Sequence, residues 1–350
     1  MTQPLMHMFL AQRMHQMKIS KTFAESNMIS ITRVLLSAVA CLCVLTAEAA
    51  YPDRPITLVV PQPAGGQADS LARALGIEMG RRMGVPVIIE NKSGASGLIA
   101  TTAVVRAKAD GYTLLLTNST PILTVPFMFA RVPYDVQRDL HFVSQIAGGP
   151  LVLLVRANLP ANNMAEFLRW AEKNKGSVTY GSFGIGTSGH LDAAYLDRSR
   201  NLNMSHLPYK GEAPMVQDLS GGSLDWGLAS ISTAISSLQG GRVRALAVLD
   251  TSRASALPNV PTMSEAGLND PEFNPLGWFA MMAPIATPVP ILQRIEKEAR
   301  EAVASPSVQS HIRSMGMYPI GNSSIDFQKE YKELSHSVKR MIELTGVKQE

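Results

Sequence analysis

The sequence predicts an α/β protein built as two lobes that face a ligand cleft, and three observations predict it. A strand, a glycine loop and a helix start follow one another in Ile56–Leu75, ITLVVPQPAGGQADSLARAL. The same design returns at 177–197, where a strand leads into GIGTSG and then into a helix. Around these two stretches, short apolar runs alternate with segments of helical spacing, the pattern of βα units. Two sheets, each with a glycine loop at a strand end, imply two lobes with a cleft between them.

Taken in order, Ile56 to Val60 is apolar and bounded by prolines, the composition of a strand buried on both faces. Pro61, Pro63, Gly65 and Gly66 break the pattern, and Leu71, Ala74, Leu75 and Met79 then recur at helical spacing, with Asp69 expected to cap the helix. A helix start carries unpaired N–H donors and partial positive charge, so this loop is a candidate anion site; the plainer reading is a tight βα turn. Val85 to Glu90 reads as a second strand, NKSGASG as the loop opening a helix at 101–107, and Thr113 to Thr117 as a third strand. Ligands bind outside the carboxyl ends of such strands, so Thr117, Asn118, Ser119 and Thr120 should lie beside the first loop.

The stretch 121–140 is irregular. Apolar runs at 141–147 and 151–155 are separated by Gly148, Gly149 and Pro150, a pair of glycines suited to a hinge. A helix at 164–175, a strand at 177–182 and a helix at 190–197 follow. Then come a strand at 205–209, a helix at 213–219, and strands at 224–229 and 245–249. The run LGWFAMM at 276–282 returns the chain to the first lobe, where 291–303 and 326–344 read as outer helices with charged faces. The limits expected are therefore 50–146 plus 276–350 for lobe 1 and 147–275 for lobe 2.

Composition narrows the function. With 46% hydrophobic and 17% charged residues the chain has a soluble globular composition. The 32 basic and 28 acidic side chains include four and two in the first fifty residues, leaving 28 against 26, with no basic cluster larger than a pair such as Arg81–Arg82; nucleic acid is not an expected partner. Arg33, the apolar run at 34–45 and the small residues Ala47 and Ala49 form a secretory signal, with Met28 as its start and cleavage after Ala49 or Ala50. The apolar run, about a dozen residues, falls short of the roughly 20 needed to span a bilayer. Cys41 and Cys43 would leave with the signal, so a mature chain would hold neither disulfide nor cysteine nucleophile.

Several constellations compete for chemistry. Gly184, Gly186 and Gly189 match the dinucleotide fingerprint, yet no acid ends the next strand to hold a ribose, so no cofactor is expected; anion capture by the same amides is retained. A hydrolase would have to use Ser182 or Ser188 with His190, without G-x-S-x-G and without an indicated acid. The five histidines beyond residue 50 show no metal-ligand spacing, so no metal is expected. His190, at a helix start, reads as structural or as cleft lining. Lys210, in Tyr209-Lys210-Gly211 at a strand end, either neutralises a ligand carboxylate or is solvated. Trp226 and Trp278 read as core or cleft wall.

An ordered series of motifs carries a resemblance: VPQPAGGQADSLAR, IENKSGASG, ADGYTLLLTN, YGSFGIGTSGHL, HLPYKGEAPMVQDLSGG, GRVRALAVLDTSR and LPNVPTMSEAGL. The set resembles the Bug family, the extracytoplasmic substrate-binding proteins related to tripartite tricarboxylate transporters. The resemblance implies a two-lobed type II periplasmic binding protein fold, monomeric, closing on a small organic carboxylate and handing it to membrane permease subunits or to a signalling kinase. It maps the ligand against Ala64, Gly65, Gly66, Gln67, Ala68 and Asp69 of the first loop and against Thr117 to Ser119. On the second lobe it maps the ligand against Gly184, Gly186, Thr187, Tyr209, Lys210 and Gly211, with Ser182 and His190 beside them. Gln62, where the family usually has an aromatic, Gln67 and Ala68 depart from the usual pattern and bear on ligand identity.

Overall fold

The computed structural model describes residues 51–273 and 276–348, and the fold is that of the compact unit Arg54–Glu350. The signal sequence and both cysteines lie outside the described residues. Among the described residues no helix is long and apolar enough to cross a membrane.

Strand β1 (Ile56–Val60) is buried along its length apart from Thr57, as its unbroken apolar run requires. Helix α1 (Gln67–Met83) turns Leu71, Leu75 and Met79 inward, all at most 1% exposed, against the sheet. Burying each of these side chains contributes roughly 1.5–3 kcal/mol. The helix stops where Gly84 adopts φ 74°. Strand β2 (Val87–Asn91), helix α2 (Leu98–Val105) and strand β3 (Thr113–Asn118) complete two βα units. The helix after the NKSGASG loop thus starts three residues earlier than its spacing suggests.

The irregular stretch 121–140 resolves into a π-helical turn (Thr120–Thr124), helix α3 (Val125–Met128) and helix α4 (Val136–Asp139). Strand β4 (Leu140–Gly148) then passes through Gly149 and Pro150 directly into β5 (Leu151–Arg156). Helix α5 (Met164–Lys173), β6 (Thr179–Ser182), α6 (Ser188–Ser199), β7 (Ser205–Pro208) and α7 (Glu212–Gly221) follow. After them come β8 (Trp226–Ser230), α8 (Ile231–Gln239) and β9 (Val243–Leu249). The chain returns through β10 (Trp278–Pro284) and ends in α9 (Val289–Ala304), α10 (Pro306–Ser314), β11 (Tyr318–Pro319) and α11 (Ser324–Thr345). Helices α8 and α10 have no counterpart in the sequence reading, although Ile231, Ala234, Ile235 and Leu238 recur at helical spacing in α8.

Two sheets result, ordered β11-β4-β10-β3-β1-β2 and β7-β6-β8-β5-β9. Both are mixed. In the first, β1 runs parallel to β2 and β3, and β10 is antiparallel to β3 and β4. In the second, β6 runs parallel to β7 and β8, and β5 is antiparallel to β8 and β9. The parallel strands carry the glycine loops; the antiparallel ones carry the chain between sheets. Helix α11 is more than an outer helix of the first sheet, for it packs against both β4 and α6. Trp226 is fully buried core.

At the crossing between the sheets, Gly149 N–H donates to Gly277 O at 2.7 Å. A Cβ on Gly277 would stand 2.6 Å from Gly149 O, and one on Gly149 would stand 2.9 Å from Met317 Cγ. Only glycine allows the two backbones this approach. Gly277→Ala should therefore lower unfolding stability by about 1–3 kcal/mol in urea titrations, the usual cost of overpacking; an unchanged midpoint would mean that the crossing is loose.

Candidate ligand-binding cleft

The strand register sets which loops meet. Thr57 pairs with Thr113 in parallel, so the loop after β1 and the end of β3 lie side by side. In the second sheet, the parallel alignment of β6 with β7 and β8 gathers three βα junctions at one edge: 183–188, 209–213 and 230–233. These junctions and the first loop enclose a cavity of about 720 Å³, closed at its back by Gly149–Leu151, Gly277–Phe279 and Met315–Met317.

The first loop is held by a carboxylate hub. Asp69 Oδ2 accepts from Gly65 N–H at 2.9 Å and from Arg73 Nε at 3.0 Å, and Oδ1 accepts from Asn91 Nδ2 at 3.1 Å. The Arg73 guanidinium, then the Gly65 N–H and Asn91, hold the Asp69 pKa down at about 2 against the cost of burial. The sequence assigned Asp69 as the cap of α1. The N-cap is Gly66, without a side-chain bond, and the capping acceptor is Gln62, whose Oε1 takes the Ala68 N–H at 3.2 Å. This leaves the first-turn N–H groups of Gln67 and Asp69 with no intrahelical acceptor. Gly65, at φ 83°, lets the chain turn into the helix.

The second loop is held without charge. Thr187 caps α6, its hydroxyl accepting from His190 N–H at 3.4 Å and donating to Gly184 O at 2.8 Å. His190 Nδ1 accepts from Gly186 N–H at 3.0 Å, which requires a neutral ring. The His190 ring stacks on His206 at 4.0 Å, and His206 in turn stacks on Tyr180 at 4.9 Å. Ser182 Oγ lies 2.8 Å from His206 Nε2 and 3.2 Å from Gly184 O. The serine–histidine pair expected of a hydrolase is thus not formed with His190. Ser182 instead pairs with His206 and is fully buried, while the one ring nitrogen of His190 that bonds is taken by a backbone N–H.

Of the residues expected at the ligand, Gln62, Gly65, Gly66, Gln67, Asn118 and Ser119 line the cavity from the first sheet, and Thr187 and Gly211 from the second. A neighbouring hollow of about 530 Å³ shares Gln62, Asn118 and Thr187 and adds Gly184, Tyr209 and Lys210. The others lie elsewhere. Ala64 is exposed away from the cavity, and Ala68 and Thr117 are fully buried, the Thr117 hydroxyl donating to Asn118 O at 2.9 Å. Asp69, Ser182 and His190 support the loops from behind. Gly186 stands at φ 75°, a conformation that strains any side chain, and a Cβ there would also press on Met128 Sδ. The Tyr209 hydroxyl donates to Asp218 Oδ2 at 2.8 Å.

The sequence reading missed Ser70, Phe183, Glu212, Ser230, Ser232 and Thr233. The rule that ligands sit beyond strand carboxyl ends could have found the last three, which end or follow β8. Trp278, one of the two tryptophans left between core and wall, lines the cavity at 3% exposure. Nothing in the sequence marks Met315–Met317, a turn between α10 and β11.

Burial, then the facing His206 ring, pulls the His190 pKa from its usual 6.5 to about 3, and burial pulls His206 to about 4. Below pH 6.5 the unfolded chain binds protons that these folded rings refuse. Their stabilising contribution is therefore complete above about pH 6.5 and is lost as pH falls toward 4 and then 3. Asp192, buried in α6 with its Oδ1 unpartnered among the described residues, has its pKa raised by burial and works in the opposite sense. Denaturation midpoints measured from about pH 7.5 down to about pH 4 should fall more steeply for the native chain than for His190→Gln; equal slopes would remove His190 as the acid-sensitive latch.

Residues 71–347 match the family described as "Tripartite tricarboxylate transporter family receptor". Among solved structures, the chain is similar to the periplasmic binding protein BugD, at 31% identity and a TM-score of 0.72, over 86% of this chain and 100% of that one. An R. palustris protein solved with adipate is 30% identical with a TM-score of 0.75, over 85% and 99% of the two chains. MatC from Rhodopseudomonas palustris, with bound malate, is 27% identical with a TM-score of 0.72, over 83% and 100%.

Proposed function

Because the chain belongs to the tripartite tricarboxylate transporter receptor family, we propose that it captures a small organic carboxylate in the cleft and delivers it to permease subunits of a transporter of that type. The observation that carries this reading is that four helix starts, those of α1, α6, α7 and α8, open into one cavity of about 720 Å³. Unpaired N–H groups and the helix dipoles there stand in for the water around a carboxylate. The bound adipate and malate of the two R. palustris proteins support the same ligand class.

In this reading the lobes are 50–146 with 276–350 and 147–275, and they close by rotation where Gly149 meets Gly277. The mature receptor is a monomer, freed into the periplasm by cleavage after Ala49 or Ala50, with no cofactor and no catalytic step. Gln62, Gly65, Gly66, Gln67, Asn118, Ser119, Thr187 and Gly211 contact the ligand. Asp69, Ser182, Gly186 and His190 fix the loops that present the donors.

A thermal-shift screen of the chain from Ala50 onward against mono-, di- and tricarboxylates tests the reading. Ligand at about 100 times its Kd adds roughly 2.7 kcal/mol to the folded state, a readable rise in Tm. Gly66 has φ −76°, which any residue adopts, and it lines the cavity. Gly66→Leu should accordingly weaken binding more than about tenfold, with a smaller loss of unliganded Tm from the 3.2 Å approach of its Cβ to Pro63 O. Silence with every acid, in protein proved folded and ligand-free, would defeat the carboxylate reading, and full affinity in Gly66→Leu would defeat the loop assignment.

A further inference from the structure

Ser70 lines the main cavity, and its hydroxyl is held from outside it: Oγ lies 3.0 Å from Nε2 of His311, on α10. Both side chains are half-buried. Helix α10 runs on into Met315–Met317, which closes the back of the cavity, so this histidine links the first loop to the floor of the cleft.

A neutral imidazole offers Nε2 as donor or acceptor according to its tautomer, whereas the charged ring can only donate. With His311 charged, Ser70 Oγ must accept from Nε2–H, and the serine's own proton is free to turn into the cavity. That proton is a donor for an anion. The ring charge behind it is one the lining lacks, for no lysine, arginine or histidine lines this cavity.

Two helix ends pull on that charge in opposite senses. His311 sits in the last turn of α10, where the dipole favours a cation, and faces the start of α1, where the dipole opposes one. Helix α10 packs on α1, α9 and β11, whose charged side chains are mostly committed to one another. On α1, Asp69 pairs with Arg73 and Glu78 with Arg81, while Arg82 reaches Glu298 and Glu301 of α9. On α9, Arg294 pairs with Glu298 and Arg300 with Glu296, and Lys297 is exposed. β11 brings Tyr318, and α10 itself brings Arg313, which reaches Gln309. An anion at the start of α1 cancels the opposing dipole and so draws a proton onto His311; by reciprocity that proton tightens the anion. His190 and His206 cannot give this response near neutral pH, because burial, joined for His190 by the His206 ring, holds them at about 3 and about 4.

Resting on the carboxylate reading above, we propose that His311 is a proton-linked positioning residue: its charged ring turns the Ser70 hydroxyl toward the bound anion, so that capture of a carboxylate takes up a proton and strengthens from about pH 8 to about pH 6.

Calorimetric titration with malate and with adipate, each run at about pH 6.5 in two buffers of different ionisation enthalpy, tests this; should neither bind, the acid that raises Tm most takes their place. The native protein should take up about 0.3 proton or more per ligand and bind at least about threefold tighter near pH 6 than near pH 8. His311→Gln should take up none and bind equally at both, which also subtracts any titration of the ligand itself. Ser70→Ala should lose most of the gain toward pH 6. Native protein that binds an acid without taking up a proton, or uptake that persists in His311→Gln, overturns the proposal and leaves the carboxylate receptor standing. A full gain in Ser70→Ala overturns it too, since the hydroxyl then carries nothing. If no acid binds folded, ligand-free protein, the carboxylate reading falls and takes this one with it. Should His311→Gln not fold, the native proton uptake and the Ser70→Ala profile decide.

Discussion

The whole arrangement depends on one backbone contact, Gly149 N–H to Gly277 O at 2.7 Å, where the strand leaving the first sheet passes the strand returning to it. β4 runs into β5 across two residues, and β10 begins one residue beyond Gly277, so both connections meet at a single point. Tyr318 and Met317 press on Gly148 and Gly149 from the other side, leaving no room for a side chain at either. Because this point is also the floor of the cavity, the fit of the backbones and the depth of the cleft are the same constraint. A fold that joined its sheets by a longer linker would bring the two sets of strand ends together only by chance.

The two glycine loops solve one problem with opposite chemistry. Each must hold a strained turn so that N–H groups point at a common space, and each must satisfy the donors that point elsewhere. The first loop uses an ionised carboxylate, Asp69, whose charge is balanced by Arg73 outside the cavity. The second uses neutral acceptors, Thr187 and the His190 ring, set in a stack of aromatic rings too buried to accept a proton near neutral pH. Neither hub lends net charge to the cleft. Direction of dipoles, and not a cation, is what the loops contribute.

The strand–loop–helix plan was legible because it is local: an apolar run, two glycines and a 3.6-residue repeat lie within twenty residues. The roles inside that plan were less so. Asp69 looks like a cap because acids favour helix starts, yet here the cap is Gln62, six residues upstream of the N–H it accepts from, a distance no capping pattern covers. Ser182 and His190 are close in the sequence, and Ser182 and His206 are 24 residues apart; only the parallel pairing of β6 with β7, which sets Ser182 opposite Pro208, brings the second pair together. The cleft wall after β8 was within reach of the same strand-end rule applied twice elsewhere. Met315–Met317 was not, since its place follows from how α10 ends against the crossing strands.

Selectivity in such a cleft follows from what it lacks. A site built around an arginine fork accepts most carboxylates and rewards charge. A site built from helix-start amides, hydroxyls and one carboxylate rewards a ligand only when donors and acceptors fall in register, because each unmatched buried group costs its full desolvation. Lys210 stands exposed outside the main cavity, and in the proposed reading it guides an anion toward the loops more than it holds one. In the proposed reading affinity rests on closure, because amides of α1 and α6 that face water gain little by exchanging it for a ligand. In the proposed reading the glycine crossing that shapes the cavity is also where the lobes turn, a point with no side chains to repack.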